Sequence, residues 1–176
     1  MMYRRKQEGR TNYKLRLKLL QSKRPRLVIR KSNKHILVQV VHYAQSGDIV
    51  KASATTKQLP KYGWTAGTNN IPAAYLAGFL LGKNAVKADT KDAIVDLGMQ
   101  VAKKGNVLYA VVKGAIDAGM VIPCSEEAFP TQERLVGKHI QVYAGKAQQH
   151  HFAKTKQAAL DLPALVQKTK ENIVKS

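Results

Sequence analysis

The chain is poor in cysteine, in acidic residues and in long apolar runs, and each shortage excludes a class of protein. Cys124 is the only cysteine among 176 residues, so no disulfide can form within the chain, which fits a reducing compartment. The longest apolar stretch, around residues 73–81, is far shorter than the roughly 20 residues that a membrane-spanning helix needs. No apolar run follows the basic residues near Met1, so we expect no signal peptide and no membrane partner.

Acidic residues are scarce: 11 Asp and Glu stand against 30 Lys and Arg, and the formal net charge is +19. The excess lies mostly at the front, because residues 1–34 contain thirteen bases and a single acid, Glu8. Residues 35–130 contain nine bases and seven acids, and residues 131–176 contain eight and three. This distribution predicts a nearly neutral body with a basic arm. A surface that serves only solubility is the alternative, but concentrated positive charge more often indicates a nucleic-acid partner.

Catalytic and metal-binding patterns are missing as well. His150 and His151 are adjacent, so they point in different directions on a helix or strand, and no His-x3-His or Cys-x2-Cys spacing occurs. The glycine-rich run at 78–84 has three residues between its glycines, where a phosphate-binding loop has four. No Gly-x-Ser-x-Gly elbow is present. We therefore expect no enzyme activity, no cofactor, no metal and no small-molecule substrate.

A β-meander is predicted directly after the arm. Segments 27–30, 36–41 and 49–54 are rich in Val, Ile and Ala, and turn-forming residues at 32–33 and 47–48 separate them. The turn at 32–33 is itself flanked by basic residues. This pattern predicts a rigid hairpin that presents positive charge.

The central part of the chain predicts a helix over 71–87, a short buried strand over 93–97 and a second helix over 107–118. Strand-helix-strand order implies a right-handed crossover onto the same sheet. Gly78 and Gly82 lie four residues apart and would let another element approach the first helix closely.

Four other segments are less regular. A basic helix over 12–21 is expected to become ordered on a partner. Residues 55–70 are loop-like, and a single helix is predicted from Thr131 to about residue 142. The end of the chain, 154–175, predicts basic amphipathic helices broken near a proline.

The expected fold class is α/β. It is a small mixed sheet with an antiparallel N-terminal meander, with helices packed on it, a basic N-terminal arm and a helical C-terminal tail. We divide the chain into a basic RNA-binding arm at 1–24, an α/β core domain at 25–145 and a basic helical tail at 146–176.

Four aromatic residues are candidates for stacking on unpaired bases: Tyr3, Tyr13, Tyr62 and Trp64. For Tyr62 and Trp64, packing in the core is an equally open interpretation. No helix-turn-helix, zinc finger or basic zipper is present, so RNA of irregular shape is a better partner than duplex DNA.

Several separate blocks of the sequence resemble one family. They are the run RLVIRKSNKHI at 26–36, YGW at 62–64, IPAAYLAG at 71–78, KGAIDAG at 113–119 and the pair IP at 122–123. In this order they are similar to the universal large-subunit ribosomal protein eighteen family, in its archaeal type. The resemblance covers nearly the whole chain and is least specific beyond about residue 145.

The resemblance implies a structural constituent of the cytoplasmic large ribosomal subunit. Members bind 5S rRNA and help attach it to the large rRNA in the central protuberance, beside neighbouring large-subunit proteins. It also implies RNA contacts in the arm and the first hairpin, at Arg4, Arg5, Arg10, Tyr13, Arg16, Lys18, Arg26, Arg30, Lys31, Ser32, Asn33 and Lys34. The alternatives are a free RNA-binding chaperone outside the ribosome and an RNA-modifying or phosphate-ester enzyme.

Overall fold

The computed structural model describes residues 3–146 and 156–175, and a four-stranded mixed sheet lies at its centre. Strands β1 (Arg26–Lys31), β2 (Ile36–His42) and β3 (Ile49–Thr55) form an antiparallel meander. Strand β4 (Ile94–Asp96) pairs in parallel with β1, so the order across the sheet is β3-β2-β1-β4. The predicted meander, the mixed sheet and the short fourth strand are confirmed.

Eight α-helices accompany the sheet within the described residues. They are α1 (Arg4–Gln7), α2 (Tyr13–Gln21), α3 (Ile71–Lys87), α4 (Val107–Asp117), α5 (Gln132–Val136), α6 (Lys138–Lys146), α7 (Lys156–Leu160) and α8 (Leu162–Lys175). The helices predicted from periodicity, α2, α3 and α4, have nearly the expected bounds. None of the helices in this part of the chain is both long and apolar enough to cross a membrane.

The core lies between one face of the sheet and helix α3. Alternate residues Leu27, Ile29, Val38 and Val40 point to this face and are fully buried. Helix α3 is buried over most of its length because the sheet covers one side and α4 covers another. The near-continuous apolar run at 71–81 is therefore a core helix.

Helices α3 and α4 approach each other at glycines. A methyl group added at Gly78 would collide with the backbone carbonyl of Val111, and one at Gly114 would collide with the carbonyl of Tyr75. At Gly82 an added methyl would lie 2.9 Å from the carbonyl oxygen of Ala115. The prediction that Gly78 and Gly82 allow close approach is confirmed.

Two segments differ from expectation. Residues 55–70 contain a 3-10 helix, Thr56–Tyr62, because Thr55 and Gln58 form a capping box at its start. The single helix expected after Thr131 is two helices, α5 and α6, because Gly137 adopts a left-handed conformation with φ 82°. Both features depend on local capping and turn geometry, which the spacing of apolar residues does not indicate.

The C-terminal helices attach to the body. Helix α7 ends at Leu160 and α8 begins at Leu162, which confirms the predicted break. Leu162, Val166 and Ile173 of α8 belong to the main hydrophobic core, and α8 contacts α3. The predicted helical residues 154–155 and the pair His150-His151 lie outside the described residues.

Candidate nucleic-acid interface

The turn between β1 and β2 is closed by a side chain. The backbone N–H of His35 donates to Ser32 Oγ at 3.0 Å, and the Ser32 hydroxyl donates to the carbonyl of His35 at 2.8 Å. The Ser32 N–H donates to the same carbonyl at 2.8 Å. In this structure Ser32 fixes the shape of the turn, and Asn33 and Lys34 are displayed at its exposed tip.

A second loop holds the tip of the turn through hydrogen bonds from Thr68 and Asn69, and we call these two residues the clamp. Thr68 Oγ1 donates to the carbonyl of Lys34 at 2.8 Å, and Asn69 Nδ2 donates to the carbonyl of Asn33 at 2.8 Å. Both carbonyls belong to the backbone, so the Lys34 side chain remains exposed. The clamp residues lie 34 and 36 positions away from the tip, so no local sequence pattern could have identified them.

The cations on the hairpin are held to different degrees. Lys31 and Lys34 are exposed. Arg30 Nη1 donates to the carbonyls of Ile29 and Asp96, both at 2.9 Å, while 43% of its side chain stays exposed. A partly exposed guanidinium with fixed geometry loses little conformational entropy when it binds a phosphate.

An alternating chain of charges crosses the face of the sheet opposite the core. Arg30 Nη2 and Asp96 Oδ1 lie 3.1 Å apart, and Arg26 Nη1 and Asp96 Oδ2 lie 2.8 Å apart. Arg26 Nη2 is 2.7 Å from Asp48 Oδ2, and Arg16 Nη2 of helix α2 is 2.9 Å from the same oxygen. This network ties the basic arm to strands β1 and β4 and to the turn before β3.

The position of Arg26 bears on its predicted role in RNA binding. Its side chain is 5% exposed, and its two terminal nitrogens are bonded to Asp48 and Asp96. A phosphate could reach this guanidinium only if a carboxylate moved away. In the free protein, Arg26 therefore acts as a structural ion-pair partner.

Helix α2 lies over this open face, and a cavity of about 290 Å³ separates it from the strands. Five arginines are among the lining residues: Arg5, Arg10, Arg16, Arg26 and Arg30. Among the described residues, two carboxylates, Asp48 and Asp96, line the same cavity. The imbalance makes the gap between arm and sheet a place of positive potential.

The cations of the arm make weak internal contacts. Arg4 Nε and Arg10 Nε lie 2.8 and 3.2 Å from the two carboxylate oxygens of Glu8, with 90% and 69% of their side chains exposed. Arg5 Nε donates to Thr11 Oγ1 at 3.1 Å. Exposed pairs of this kind contribute about 1 kcal/mol or less, so phosphates can replace them readily.

The remaining predicted residue positions on the arm are Tyr13 and Lys18. Lys18 is exposed on α2. The Tyr13 ring is half-buried, and its centroid lies 4.8 Å from that of Tyr3, which is 68% exposed. Asn12 caps α2 by accepting a hydrogen bond from the N–H of Leu15 at 3.1 Å. The arm thus has local structure of its own in the free protein.

The two other aromatic candidates belong to the body. Trp64 is 2% exposed and donates from Nε1 to the carbonyl of Gly67 at 3.2 Å, which confirms core packing. Tyr62 is half-buried and packs against the core. Stacking of Trp64 on RNA bases is therefore excluded in this structure.

A polar cluster away from the basic surface joins helices α3, α4 and α8. Tyr75 Oη donates to Asp117 Oδ2 at 2.9 Å and accepts from Lys170 Nζ at 3.0 Å. Lys113 Nζ lies 3.1 Å from Asp117 Oδ1, so Asp117 also pairs with a base of its own helix. Burial raises the pKa of Tyr75, and the hydrogen bond and negative charge of Asp117 raise it further.

Comparisons with known proteins agree on one family. The model of a family described as ribosomal large subunit proteins 60S L5 and 50S L18 matches residues 1–93. A relative from Methanococcus maripaludis, named large ribosomal subunit protein uL18, is 43% identical over 181 residues. That alignment covers 98% of this chain and 94% of the relative.

Proposed function

The chain belongs to the family of large-subunit ribosomal proteins that includes 60S L5 and 50S L18, and on that premise we propose that it binds 5S rRNA. As a member of this family it is a structural protein of the large ribosomal subunit, a cytoplasmic particle, and its partners are rRNA and other ribosomal proteins. The family is not a class of enzymes. Our proposal adds that the chain helps attach 5S rRNA to the large rRNA in the central protuberance.

The clamped basic hairpin is the observation that carries the proposal. Backbone carbonyls of its tip accept hydrogen bonds from Thr68 and Asn69, while Lys31 and Lys34 are exposed. A turn held in this way can present two cations at a fixed spacing. Fixed spacing favours an RNA surface of one particular shape, because a flexible basic tail adapts equally to any polyanion.

The arm supplies a second set of phosphate contacts. Among the described residues, its arginines pair with Glu8, Thr11, Asp48 and Asp92, at exposed or half-exposed positions. RNA phosphates can take the place of these partners, with release of counterions from the RNA. We propose that the arm and the hairpin contact the same RNA at Arg4, Arg5, Arg10, Tyr13, Arg16, Lys18, Arg30, Lys31, Asn33 and Lys34. Ser32 shapes the turn, and Arg26 joins them only if Asp48 is displaced.

Sedimentation separates this proposal from a free RNA chaperone. The tagged chain, expressed in an archaeal host, should remain with large subunits on a sucrose gradient after a high-salt wash. A chaperone with the same surface would be removed by the wash and would appear at the top of the gradient. Recovery of the chain only in the free fractions would contradict a role as a constituent of the subunit.

Limited proteolysis tests whether the arm belongs to the binding surface. Trypsin should cut the free chain first within residues 4–24, because the arm is basic and has no buried residue in α1 or α2. 5S rRNA should slow these cuts at a salt concentration where an unrelated RNA of similar length does not. Equal cleavage with and without 5S rRNA would place the arm outside the interface.

A further inference from the structure

A second cavity lies at the other end of the hairpin, about the start of β1 and the end of β2. Its volume is about 250 Å³, and its lining consists of Leu20, Lys23, Arg24, Pro25, His42 and Tyr43. Sites for drug-sized ligands usually measure about 300–1,000 Å³, so this cavity suits a smaller group. A single nucleobase is smaller than a drug-sized ligand and suits a cavity of this volume.

The backbone conformation of Lys23, one of the residues that line the cavity, is strained. Lys23 has φ 55°, a left-handed conformation that glycine or asparagine usually occupies directly after a helix. Its N–H donates to the carbonyl of Leu20 at 3.1 Å, so Lys23 closes the turn that ends helix α2, as the residue after a helix commonly does. Glycine would close this turn without strain, yet a lysine occupies the position. Strained positions of this kind are concentrated at functional sites.

The aromatic ring at the cavity is exposed and unoccupied by other side chains. Tyr43 is 58% exposed, and within residues 3–146 and 156–175 its side chain makes no hydrogen bond or ring contact. In the same part of the chain the Lys23 amine has no ion-pair partner. The ring of Tyr43 and the amine of Lys23 are therefore both free to bind a ligand.

Two other polar groups at the cavity, Arg24 and His42, could also bind a ligand. Arg24 Nε lies 3.4 Å from Asp92 Oδ2 in a half-exposed pair, which a phosphate can replace. His42 Nε2 is buried without a hydrogen-bond partner in the described structure. An unpartnered buried nitrogen costs free energy unless a ligand or a water satisfies it.

We propose that this cavity binds one unpaired nucleotide of RNA, with the base stacked on Tyr43 and the phosphate held by Lys23 and Arg24. Base stacking on tyrosine needs an exposed π face, and phosphate binding needs nearby cations that have no internal partner or can exchange a weak one for the phosphate. The cavity meets both requirements. The proposal deepens the RNA-binding function and rests on it, and it assigns a specific contact to the end of the arm and the end of β2, at residues that are not among the RNA contacts proposed above.

Two substitutions separate this role from a structural one. Lys23→Gly removes the cation and the backbone strain together, so the melting temperature should stay the same or rise while RNA affinity falls. The log–log slope of 5S rRNA affinity against salt should become shallower by about 1, because one phosphate contact is lost. Lys51→Ala removes an exposed lysine on β3 and serves as a control.

Tyr43→Leu keeps an apolar side chain beside Leu20 but removes the π face. Affinity for 5S rRNA should fall by about 5- to 150-fold, the effect of losing one stacked base, and Tyr43→Phe should restore it. Tyr143→Leu on α6, which removes a tyrosine that is 54% exposed and lies outside the cavity, is the control. Ultraviolet cross-linking should join RNA to the tryptic peptide 35–51 of the wild type, at Tyr43.

The outcomes distinguish the two proposals. Wild-type chain that fails to bind 5S rRNA selectively overturns the RNA-binding function, and this proposal with it. Wild-type chain that binds selectively, with Lys23→Gly and Tyr43→Leu binding equally well and no cross-link in peptide 35–51, overturns the nucleotide cavity alone. Loss of affinity in Lys23→Gly and Tyr43→Leu but not in the controls supports it.

Discussion

Arg26 and Asp96, which are 70 residues apart in the sequence, form a buried ion pair with 2.8 Å between Nη1 and Oδ2. Their side chains are 5% and 7% exposed. The pair joins β1 to β4 at the edge of the sheet, where the two strands run in parallel. It also supports the interface, because Asp96 holds Arg30 and, through Arg26 and Asp48, the network reaches Arg16 of the arm.

Removing Arg26 should destabilise the protein strongly. Arg26→Met leaves Asp96 buried with one cation fewer, and breaking a buried pair in this way costs about 3–5 kcal/mol. The measurement is the free energy of unfolding in urea. Arg24→Met is the control, since its pair with Asp92 is half-exposed and should contribute about 1 kcal/mol or less. Equal effects of the two substitutions would show that the buried pair contributes no more to stability than the half-exposed one.

The hairpin tip should contribute more to RNA binding than the C-terminal helix does. Lys31→Ala with Lys34→Ala should weaken 5S rRNA binding more than Lys168→Ala with Lys175→Ala. The reason is that the clamp already holds the tip lysines on a turn of fixed shape, whereas Lys168 and Lys175 lie on helix α8, outside the proposed arm-and-hairpin surface. Filter binding at a fixed salt concentration measures both.

These four lysines are exposed, so each double variant should melt within a few degrees of the wild type. Lys170 is left unchanged in this comparison because its amine donates to Tyr75. If the α8 double variant binds 5S rRNA more weakly than the hairpin double variant does, the clamped-hairpin account is contradicted.

The contact between α3 and α4 should not tolerate a single added methyl group. Gly78→Ala or Gly114→Ala would drive Cβ into a backbone carbonyl, which a side-chain rotation cannot relieve, so we expect a loss of about 3 kcal/mol. Gly145→Ala is the matched control in helix α6, where nothing lies within 4 Å of the added carbon. It should be neutral or stabilise by up to about 1 kcal/mol.

The stability of the protein should depend on pH above pH 10 through Tyr75. Its pKa is raised in the folded state, so the unfolded chain loses this proton at a lower pH than the folded protein does. The contribution of Tyr75 to stability is full below the unfolded pKa of 10.0 and declines as the pH rises above it. Urea titrations between pH 9 and 11 should show a steeper loss for the wild type than for Tyr75→Phe. Identical slopes would exclude this linkage.

Local patterns predicted much of the fold, because caps and periodicity are encoded within a few residues. Helix α3 begins beside Pro72 and is apolar throughout, and the meander has turn residues between short apolar strands. The 3-10 helix Thr56–Tyr62 and the break at Gly137 were missed, because each is set by a capping box or a left-handed glycine.

The candidate interface was predictable only in part. Clustered charge and the family resemblance indicated the arm and the hairpin tip correctly as exposed basic surfaces. The buried position of Arg26 and the clamp from Thr68 depend on residues that are distant in the sequence. Tyr43 carries no sequence signal, because its exposure results from its position at the end of β2 beside the strained Lys23.

Binding of the purified chain to 5S rRNA over a series of salt concentrations tests the central claim most directly. If the arm and the hairpin contact about six phosphates, the log–log slope of affinity against salt should be about −4 to −5. Affinity for 5S rRNA should exceed that for an unrelated RNA of similar length at every salt concentration. A slope shallower than about −2, or equal affinity for the two RNAs, would contradict the account.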